Sequence, residues 1–319
     1  MQQLEQNNQE AFTTLDTVID DNTDTNISND EKINWMNSIY LIASPIISAV
    51  ALVYWFQQGM FNWNTVILFL IFASIIELSI TAGYHRLFSH RTYKANSIVK
   101  LFFLCFGAAA LQSSAFLWSL DHRVHHKHVD HKEKDPYSIN KGFMWAHITW
   151  LFYKQDGQLE HVHAPDLDSD VLVQWQHKYW TYLGIFFGFV LPTLIAHFAW
   201  NDFFGGLFVV GFFRSVVNHH VTFLINSVSH CIGKQTYSDS HSARDNWFTA
   251  LLTFGEGYHN FHHEFPSDYR NGVRFYHYDP SKWLIYGLSL IGWTYDLKRV
   301  SANLIARKRD AMTAKRNNA

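Results

Sequence analysis

Histidines recur in three short segments of the chain, and two of these segments share one spacing. The segments 122–126 (HRVHH) and 259–263 (HNFHH) each place histidines at offsets of zero, three and four residues. On an α-helix those offsets bring three imidazoles onto one face. A looser pair, five residues apart, lies in HRLFSH at 85–90. The histidines concerned are His85, His90, His122, His125, His126, His259, His262 and His263.

This pattern predicts a site for metal ions. Neutral imidazole binds zinc, copper, iron and nickel, and these histidines outnumber the four ligands of a structural zinc site. Their number therefore favours two ions with open coordination positions. Asn226 and His230, four residues apart in NSVSH, extend the candidate ligand set. His85 and His90 converge only if their helix bends, bulges or ends between them, because a five-residue step turns the second ring by about 140°.

Composition narrows the class of protein. The chain has 319 residues, a net charge of −2 and an aromatic content of 17%. A protein that binds nucleic acid would carry a basic surface, so we expect no nucleic-acid partner. The two cysteines, Cys105 and Cys231, are too few for a zinc ribbon or a disulfide framework.

Four apolar blocks have about the 20 residues that a helix needs to cross a bilayer. The spans predicted from them are 35–56, 63–83, 179–200 and 206–224. Two hairpins of this kind leave the segments 84–178 and 226–303, which carry the histidines, on one side of the membrane. None of the 25 Lys and Arg residues lies in the two short loops on the other side. By the positive-inside rule, the histidines are expected to face the cytoplasm.

The expected fold is an all-α integral membrane protein. It has four transmembrane helices in two hairpins and a cytoplasmic helical cap that holds a histidine-rich di-metal site. Residues 1–33 are polar and are expected to form a disordered tail. Residues 34–303 form the membrane domain, and 304–319 form a basic C-terminal tail. Within the cap, residues 98–118 are expected to form one amphipathic helix in the membrane interface.

Polar residues elsewhere in the chain receive structural interpretations. Glu77 and Arg214 are the strongly ionisable residues within the predicted spans, and we expect an ion pair or polar contact between them. Several histidines outside the three segments are expected to be solvated loop residues. They are His161, His163, His177, His241 and His277.

Longer motifs around the histidines resemble a known family. They are TAGYHRLFSHR at 81–91, GFMWAH at 142–147, GEGYHNFHHEFPSDYRNG at 255–272 and YDLKRVS at 295–301. Over about residues 40–301 the chain resembles the integral-membrane fatty acyl desaturases, in particular the Δ9 acyl-CoA (stearoyl-CoA) branch. The stretch RNGVRFYHYDPSKW is similar to bacterial members, which favours a bacterial inner membrane over the endoplasmic reticulum.

This resemblance implies a di-iron centre. Two Fe ions and O2 as co-substrate would remove two hydrogens from a saturated acyl chain and leave a cis double bond, at Δ9. The resemblance extends the eight histidines by His230 as a ninth ligand and by Asn226 acting through a water. Electrons would come from a separate donor of the cytochrome b5 or ferredoxin type with its reductase. The sequence contains neither a haem-binding His-Pro-Gly-Gly nor a Gly-x-Gly-x-x-Gly motif.

The resemblance also assigns residues to the substrate. Phe69 and Ala73, about four and three turns before His85, are expected to limit the length of the acyl chain. Trp118 and Asp121 occupy positions at the carrier end, and Lys141 is expected to bind phosphate.

The identity of the acyl carrier stays open at this point. Leu120 and Ser113 stand where animal members have an arginine and an asparagine that contact CoA. The substrate is therefore acyl-CoA or, alternatively, a membrane glycerolipid. A fatty-acid or alkane hydroxylase is a further alternative, since hydroxylation begins with the same C–H cleavage. A divalent-metal transporter would need metal-binding residues within several spans, and nearly all the histidines lie outside them.

Overall fold

The computed structural model describes residues 18–19, 32–153 and 162–318. Over these residues the protein is mostly helical, and four helices are long and apolar enough to cross a membrane, so the expected fold class is confirmed. The predicted disordered tail at 1–33 lies almost entirely outside the described residues.

Helices make up most of the regular structure. In chain order the α-helices are α1 (Trp35–Gln57), α2 (Trp63–Leu78), α3 (Ser97–Ala108), α4 (Ala115–His128), α5 (Phe143–His147), α6 (Pro165–Asp168), α7 (Val171–Ile185), α8 (Leu191–Trp200), α9 (Arg214–Cys231), α10 (Trp247–Leu252), α11 (His259–Glu264), α12 (Pro280–Leu290) and α13 (Ala302–Asn317). The π-helical segments are π1 (Ser79–Ser89), π2 (Phe186–Val190) and π3 (Gly205–Phe213). Short 3₁₀ turns occur at Ile139–Lys141 and Thr149–Phe152. The strands β1 (Val18–Ile19) and β3 (Val162–His163) pair antiparallel, as do β2 (Lys94–Ala95) and β4 (Thr294–Tyr295).

The apolar helices extend beyond the predicted spans. They are Trp35–Gln57, Trp63–Ser89, Val171–Trp200 and Gly205–Cys231. The third begins well before the predicted residue 179, because Asp170 caps it by accepting from the N–H groups of Leu172 and Val173. The first turns of this helix include polar residues that have hydrogen-bond partners inside the protein. Gln176, for example, donates to the Tyr84 hydroxyl at 2.7 Å.

The predicted single helix over 98–118 is wrong. The chain instead forms α3 and α4 with a break at 109–114, where Leu111 and Ser113 adopt positive φ angles of 55° and 77°. Ser114 then starts α4, since its Oγ accepts from the N–H of Leu117 at 3.2 Å. The break turns the chain so that α4 packs against π1 and carries its histidines towards those of the first segment.

The predicted contact between Glu77 and Arg214 is also wrong. The Arg214 guanidinium donates to the carbonyl oxygens of Ala109 and Gly188, both at 2.9 Å. Glu77 accepts from the Asn218 side-chain amide at 3.1 Å. The break after α3 and the π-helical turn of π2 leave backbone carbonyls inside the protein available as acceptors. These carbonyls accept hydrogen bonds from the Arg214 guanidinium in place of a carboxylate.

A buried ion-pair network fastens the C-terminal cap to the end of the second apolar helix. Arg86 in π1 contacts Glu256 Oε1 at 2.8 Å and Asp279 Oδ1 at 3.0 Å. All three residues are almost fully buried. Asp279 also caps α12 by accepting from the N–H of Lys282 at 2.9 Å. The network therefore fixes the position of the segment that contains α11 relative to π1.

Candidate metal centre

The first histidine segment lies in and directly after π1. The backbone N–H of His90 donates to the carbonyl of His85 at 3.0 Å, which closes a five-residue turn. Because this turn covers five residues, both imidazoles come to one side, and their ring centroids are 4.8 Å apart. The five-residue spacing predicted a bend, a bulge or a helix end between His85 and His90. The structure has a π-helical turn there.

The third histidine segment forms the short helix α11, which is held by side-chain contacts. Asn260 accepts from the N–H of Tyr237 at 2.7 Å and donates to the carbonyls of Ser238 and Ala243 at 2.7 and 2.9 Å. These bonds tie α11 to the loop that follows α9. A six-residue helix has little stability of its own, so tertiary anchoring sets the orientation of its imidazoles.

Nine histidines converge in two adjacent groups. The first group contains His85, His90, His122, His126 and His262, and the second contains His125, His230, His259 and His263. Within each group the candidate ligand atoms all lie within 4.8 Å of one another. The structure thus brings together every histidine predicted as a ligand, from four separate parts of the chain.

The imidazoles face one another through their Nε2 atoms. The Nε2 atoms of His90 and His122 are 2.8 Å apart, and those of His230 and His259 are 3.0 Å apart. Nitrogen atoms this close, without carboxylates among them, suit the binding of a metal ion that prefers imidazole. The residues present therefore fit one ion in each group.

Two buried carboxylates orient histidines by contacting the Nδ1 atom of the ring. Glu256 Oε2 lies 2.8 Å from His85 Nδ1, and Asp135 Oδ1 lies 2.9 Å from His125 Nδ1. An Nδ1–H that donates to a carboxylate leaves the Nε2 lone pair free for a metal and makes the imidazole a stronger ligand. This arrangement is typical of metal-binding histidines.

Hydroxyl groups orient two further histidines. Ser242 Oγ lies 2.6 Å from His230 Nδ1 and also donates to Asp130 Oδ1. The Tyr137 hydroxyl lies 3.3 Å from His122 Nδ1. In both cases Nδ1 is directed away from the group and Nε2 towards it.

Six of the clustered histidines outside the apolar helices have lowered pKa values, which favours the neutral imidazole. Burial, followed by the repulsion of neighbouring imidazoles, lowers the pKa well below its ordinary value in each of them. The residues concerned are His90, His122, His126, His259, His262 and His263. Neutral imidazole is the form that binds metal.

A cavity of about 400 Å³ adjoins both groups. Its walls are mostly apolar, and they include His85 and His259 as well as the predicted Asn226, Trp118 and Asp121. The Trp118 ring stacks on the imidazole of His122, with centroids 5.0 Å apart. Burial raises the pKa of Asp121 to about 7.

Three predicted substrate residues do not line this cavity. Lys141 lies at the surface, with its Nζ 4.6 Å from the centroid of the Trp145 ring. Phe69 stacks on Phe213 at 5.4 Å between centroids. Ala73 presents its carbonyl to the Asn218 side chain. The cavity instead reaches the second apolar helix at Ile80 and Thr81.

Some residues of the site escaped prediction. Glu256, Asp135 and Ser242 orient histidines but were assigned no role, although the first two lie within or beside the histidine motifs. His241 was expected to be a solvated loop residue, and this expectation is wrong because its side chain is buried. The positions of these residues in the sequence do not show that they contact histidines; only the distances in the structure do.

Comparison with known proteins assigns the family. The sequence model described as Fatty acid desaturase matches residues 33–293, which is most of the chain. The chain belongs to the fatty acid desaturase family. The predicted resemblance is thereby confirmed, and with the four apolar helices it indicates a multi-pass membrane protein.

Individual relatives agree with this assignment. Acyl-CoA desaturase 1 of Saccharomyces cerevisiae is 41% identical over 278 residues, which cover 86% of this chain and 54% of the relative. Delta(9)-fatty-acid desaturase fat-7 of Caenorhabditis elegans is 35% identical over 284 residues, covering 87% and 82%. Stearoyl-CoA desaturase 5 of Bos taurus is 35% identical over 240 residues, covering 73% and 71%. The chain spans about half the length of the yeast relatives it matches. These relatives are eukaryotic, and the bacterial subtype stays a prediction.

Proposed function

We propose that this desaturase-family protein introduces a cis double bond at Δ9 into a saturated long-chain acyl group, with acyl-CoA as the substrate. The observation that carries the proposal is the pair of imidazole groups beside a largely apolar cavity. In the overall reaction the acyl chain loses two hydrogens, and O2 is reduced to two waters with two further electrons and two protons. The yeast and nematode relatives named above as desaturases support this reaction.

The proposed metals are two iron ions, one in each histidine group. Iron, when bound, supplies with O2 the oxidising power that an unactivated C–H bond requires. Zinc fits imidazole equally well but has no redox chemistry. The histidines of each group would hold one ion, and Asn226 would act on one of the two ions through a water. Glu256 and Asp135 keep the imidazoles in the tautomer that ligation needs.

The chain's own residues position the substrate. The apolar cavity removes the acyl chain from water and places it along the imidazoles, so that its geometry decides which carbons lie beside the metals. We propose that Trp118 and Asp121, which both line the cavity, contact the substrate near its carrier end. Phe69 and Ala73 stay proposed as limits on chain length, and Lys141 as a phosphate contact, although none of the three lines the cavity.

The proposed carrier is CoA. Support comes from the name of the yeast relative, an acyl-CoA desaturase. Leu120 is buried, with an exposed fraction of only 3%, so an arginine-like contact to CoA is absent at this position. A membrane glycerolipid is therefore the alternative carrier, and purified protein supplied with either substrate would decide between them.

We place the imidazole groups on the cytoplasmic side of the membrane, because the basic residues of the chain avoid both short loops between the paired apolar helices. Electrons would come from a donor of the cytochrome b5 or ferredoxin type with its reductase. A bacterial inner membrane stays the predicted location.

The experiment uses a host strain that lacks Δ9 desaturation and supplies both types of electron donor. The chain and its His262→Ala variant are expressed, and fatty acids with their double-bond positions are determined by mass spectrometry. His131→Ala is the control, because His131 is exposed and belongs to neither group.

We expect cis-9 monoenes with the unchanged chain and with His131→Ala, and none with His262→Ala. Hydroxy fatty acids in place of monoenes would identify a hydroxylase. Equal monoene levels in all three strains would refute the role of the histidine groups.

A further inference from the structure

A second cavity, lined by three arginines, lies in the C-terminal part of the chain. Its volume is about 390 Å³. The described residues of its lining are Arg270, Arg299, Arg309, Val273, Val300, Ala302, Ile305 and Ala306, and none of these is acidic. We call this surface the arginine cavity. Three guanidiniums around one apolar floor concentrate positive charge, and such a cleft attracts an anionic partner.

The arginines keep donors available for another molecule. Arg299 is exposed, and it donates to the Tyr269 hydroxyl at 2.9 Å. Arg270 contacts Asp268 through two nitrogens, at 2.9 and 2.7 Å. Within the described part of the chain, Arg309 uses only its Nε, which lies 3.2 Å from a neighbouring carboxylate oxygen. A guanidinium has five N–H donors, so each arginine retains donors that fit a carboxylate of a partner.

The arginine cavity lies directly behind the histidine helix α11. Ile305, from the cavity floor, belongs to the same small apolar core as Phe261 of α11. Lys308, on the next turn of α13, pairs with Glu264 at the end of α11 at 2.6 Å. Phe261 is followed in the chain by His262, a member of the first histidine group. The cavity floor therefore packs against the helix that carries three of the clustered histidines.

The outer face of α13 is polar, unlike the helix faces that suit a membrane. Helix α10 exposes Trp247 and Phe248, and α12 exposes Trp283 and Tyr286. None of the described residues 296–318 is an exposed large apolar residue. Aromatic side chains anchor a protein in the membrane interface. Helix α13 instead carries five basic residues and one acidic residue, in a chain whose net charge is −2. This face therefore fits a water-soluble acidic partner.

We propose that the arginine cavity and the adjoining face of α13 form the docking surface for an acidic one-electron carrier protein, whose carboxylates pair with the three arginines. The proposed desaturation takes two electrons from outside the chain for each double bond, and a carrier docked here stands behind α11. The two cavities share no lining residue, so carrier and acyl chain bind at the same time. The inference rests on the proposed function and adds the surface through which electrons enter.

The test measures the binding of a carrier probe to the purified full-length chain in detergent. The probes are the soluble haem domain of a cytochrome b5 and a 2Fe–2S ferredoxin, both acidic proteins. Dissociation constants are determined by thermophoresis at about 50 mM and about 500 mM salt, because salt screens exposed charges. Arg299→Glu/Arg309→Glu reverses two charges of the cavity. The matched control is Lys132→Glu/Lys134→Glu, which makes the same change in net charge in the exposed loop after α4, outside the cavity and α13.

We expect at least one probe to bind the unchanged chain and the lysine control alike at the lower salt concentration. Its binding to Arg299→Glu/Arg309→Glu should be at least about 10-fold weaker, because like charges repel across an interface. The higher salt concentration should reduce this difference to about 3-fold or less. With the probe as electron source, the KM for the probe should rise while the rate at saturating probe stays unchanged, a split that a structural defect would not produce.

Equal binding to the unchanged chain and to Arg299→Glu/Arg309→Glu would overturn the docking surface, as would an equal loss in the lysine control. Loss of binding to vesicles of anionic lipid, with probe binding unaltered, would assign the arginines to the membrane instead.

A chain that binds neither probe would also overturn the docking surface, while monoene formation in the expression host would still support the proposed function. Absence of monoenes as well would overturn both. Thermal unfolding checks that the variants fold; a misfolded charge reversal is replaced by Arg299→Gln/Arg309→Gln, to which the same criteria apply.

Discussion

Replacement of Asp135 by asparagine tests how strongly an orienting carboxylate acts on the metal centre. Asp135 is 2% exposed, and its Oδ1 lies 2.9 Å from His125 Nδ1. Its Oδ2 accepts from the backbone N–H of Asp130 at 3.1 Å. Asparagine has nearly the same shape, so Asp135→Asn removes the charge and one acceptor with little change in packing.

Two losses occur in this variant, and they act on different equilibria. The N–H of Asp130 would face an amide instead of an acceptor, at a cost of about 1 kcal/mol in folding stability that is the same with and without metal. A hydrogen bond to a charged group is worth about 1 kcal/mol more than a neutral one, which corresponds to about a 5-fold change in an equilibrium constant. We expect the iron affinity of the second group to fall by about 5- to 10-fold, towards the lower end of the range known for orienting residues.

The assay is competition for iron with a ferrous chelator, together with the rate of monoene formation. Asp268→Asn is the control: Asp268 is equally buried but binds Arg270 at 2.7 Å and the N–H of Val300, with no histidine partner among the described residues. Iron affinity in Asp135→Asn equal to that of the unchanged chain would refute the reasoning that the carboxylate strengthens the imidazole. An equal loss of iron in Asp268→Asn would show that general destabilisation is responsible.

Four further changes have defined outcomes. Arg86→Met removes the buried cation shared by Glu256 and Asp279 and should destabilise the protein by about 3–5 kcal/mol, seen as a lower unfolding temperature, whereas the exposed Lys94→Met should change little. Burial raises the pKa of Asp121 from 3.8 to about 7, so the folded chain binds more protons between these values and loses stability as the pH rises through them. The gain in unfolding temperature of Asp121→Asn over the unchanged chain should therefore be larger at about pH 8 than at about pH 5, and an equal gain at both would contradict the raised pKa. Ile80→Trp, which fills part of the cavity, should exclude the longest acyl chains, as measured by chromatography of the products; Ala73→Trp tests the predicted limit on chain length beyond the cavity, and unchanged product lengths would refute it.

The fold class and the gathering of the histidines could be predicted because local patterns specify both. Apolar blocks of membrane length identify helices without knowledge of their neighbours. Histidines at offsets of three and four share a helix face wherever the helix lies. All nine predicted histidines do lie together in the structure, while their role as ligands stays a prediction.

Other features depend on contacts between distant parts of the chain. The break after α3 is stabilised by Arg214, whose partners are backbone carbonyls with no signature in the sequence. The early start of α7 depends on the hydrogen bond from Gln176 to Tyr84. A hydropathy scale cannot include this partner, and it therefore counts Gln176 as an interruption of the apolar block. The burial of His241 could not be predicted, because its loop is anchored to the distant Asp130 through the backbone N–H of Ser242.

The scattered origin of the nine histidines has a consequence for how the protein is made. The candidate ligands come from π1 and the residue directly after it, α4, α9 and α11, so neither histidine group is complete on a nascent chain until the ribosome has passed the histidines of α11. Each ion, once bound, closes loops of many residues and binds only the assembled form, which stabilises that form in proportion to the metal supply. Iron starvation should therefore lower the amount of the protein as well as its activity, because chains without metal stay open longer to cellular proteases.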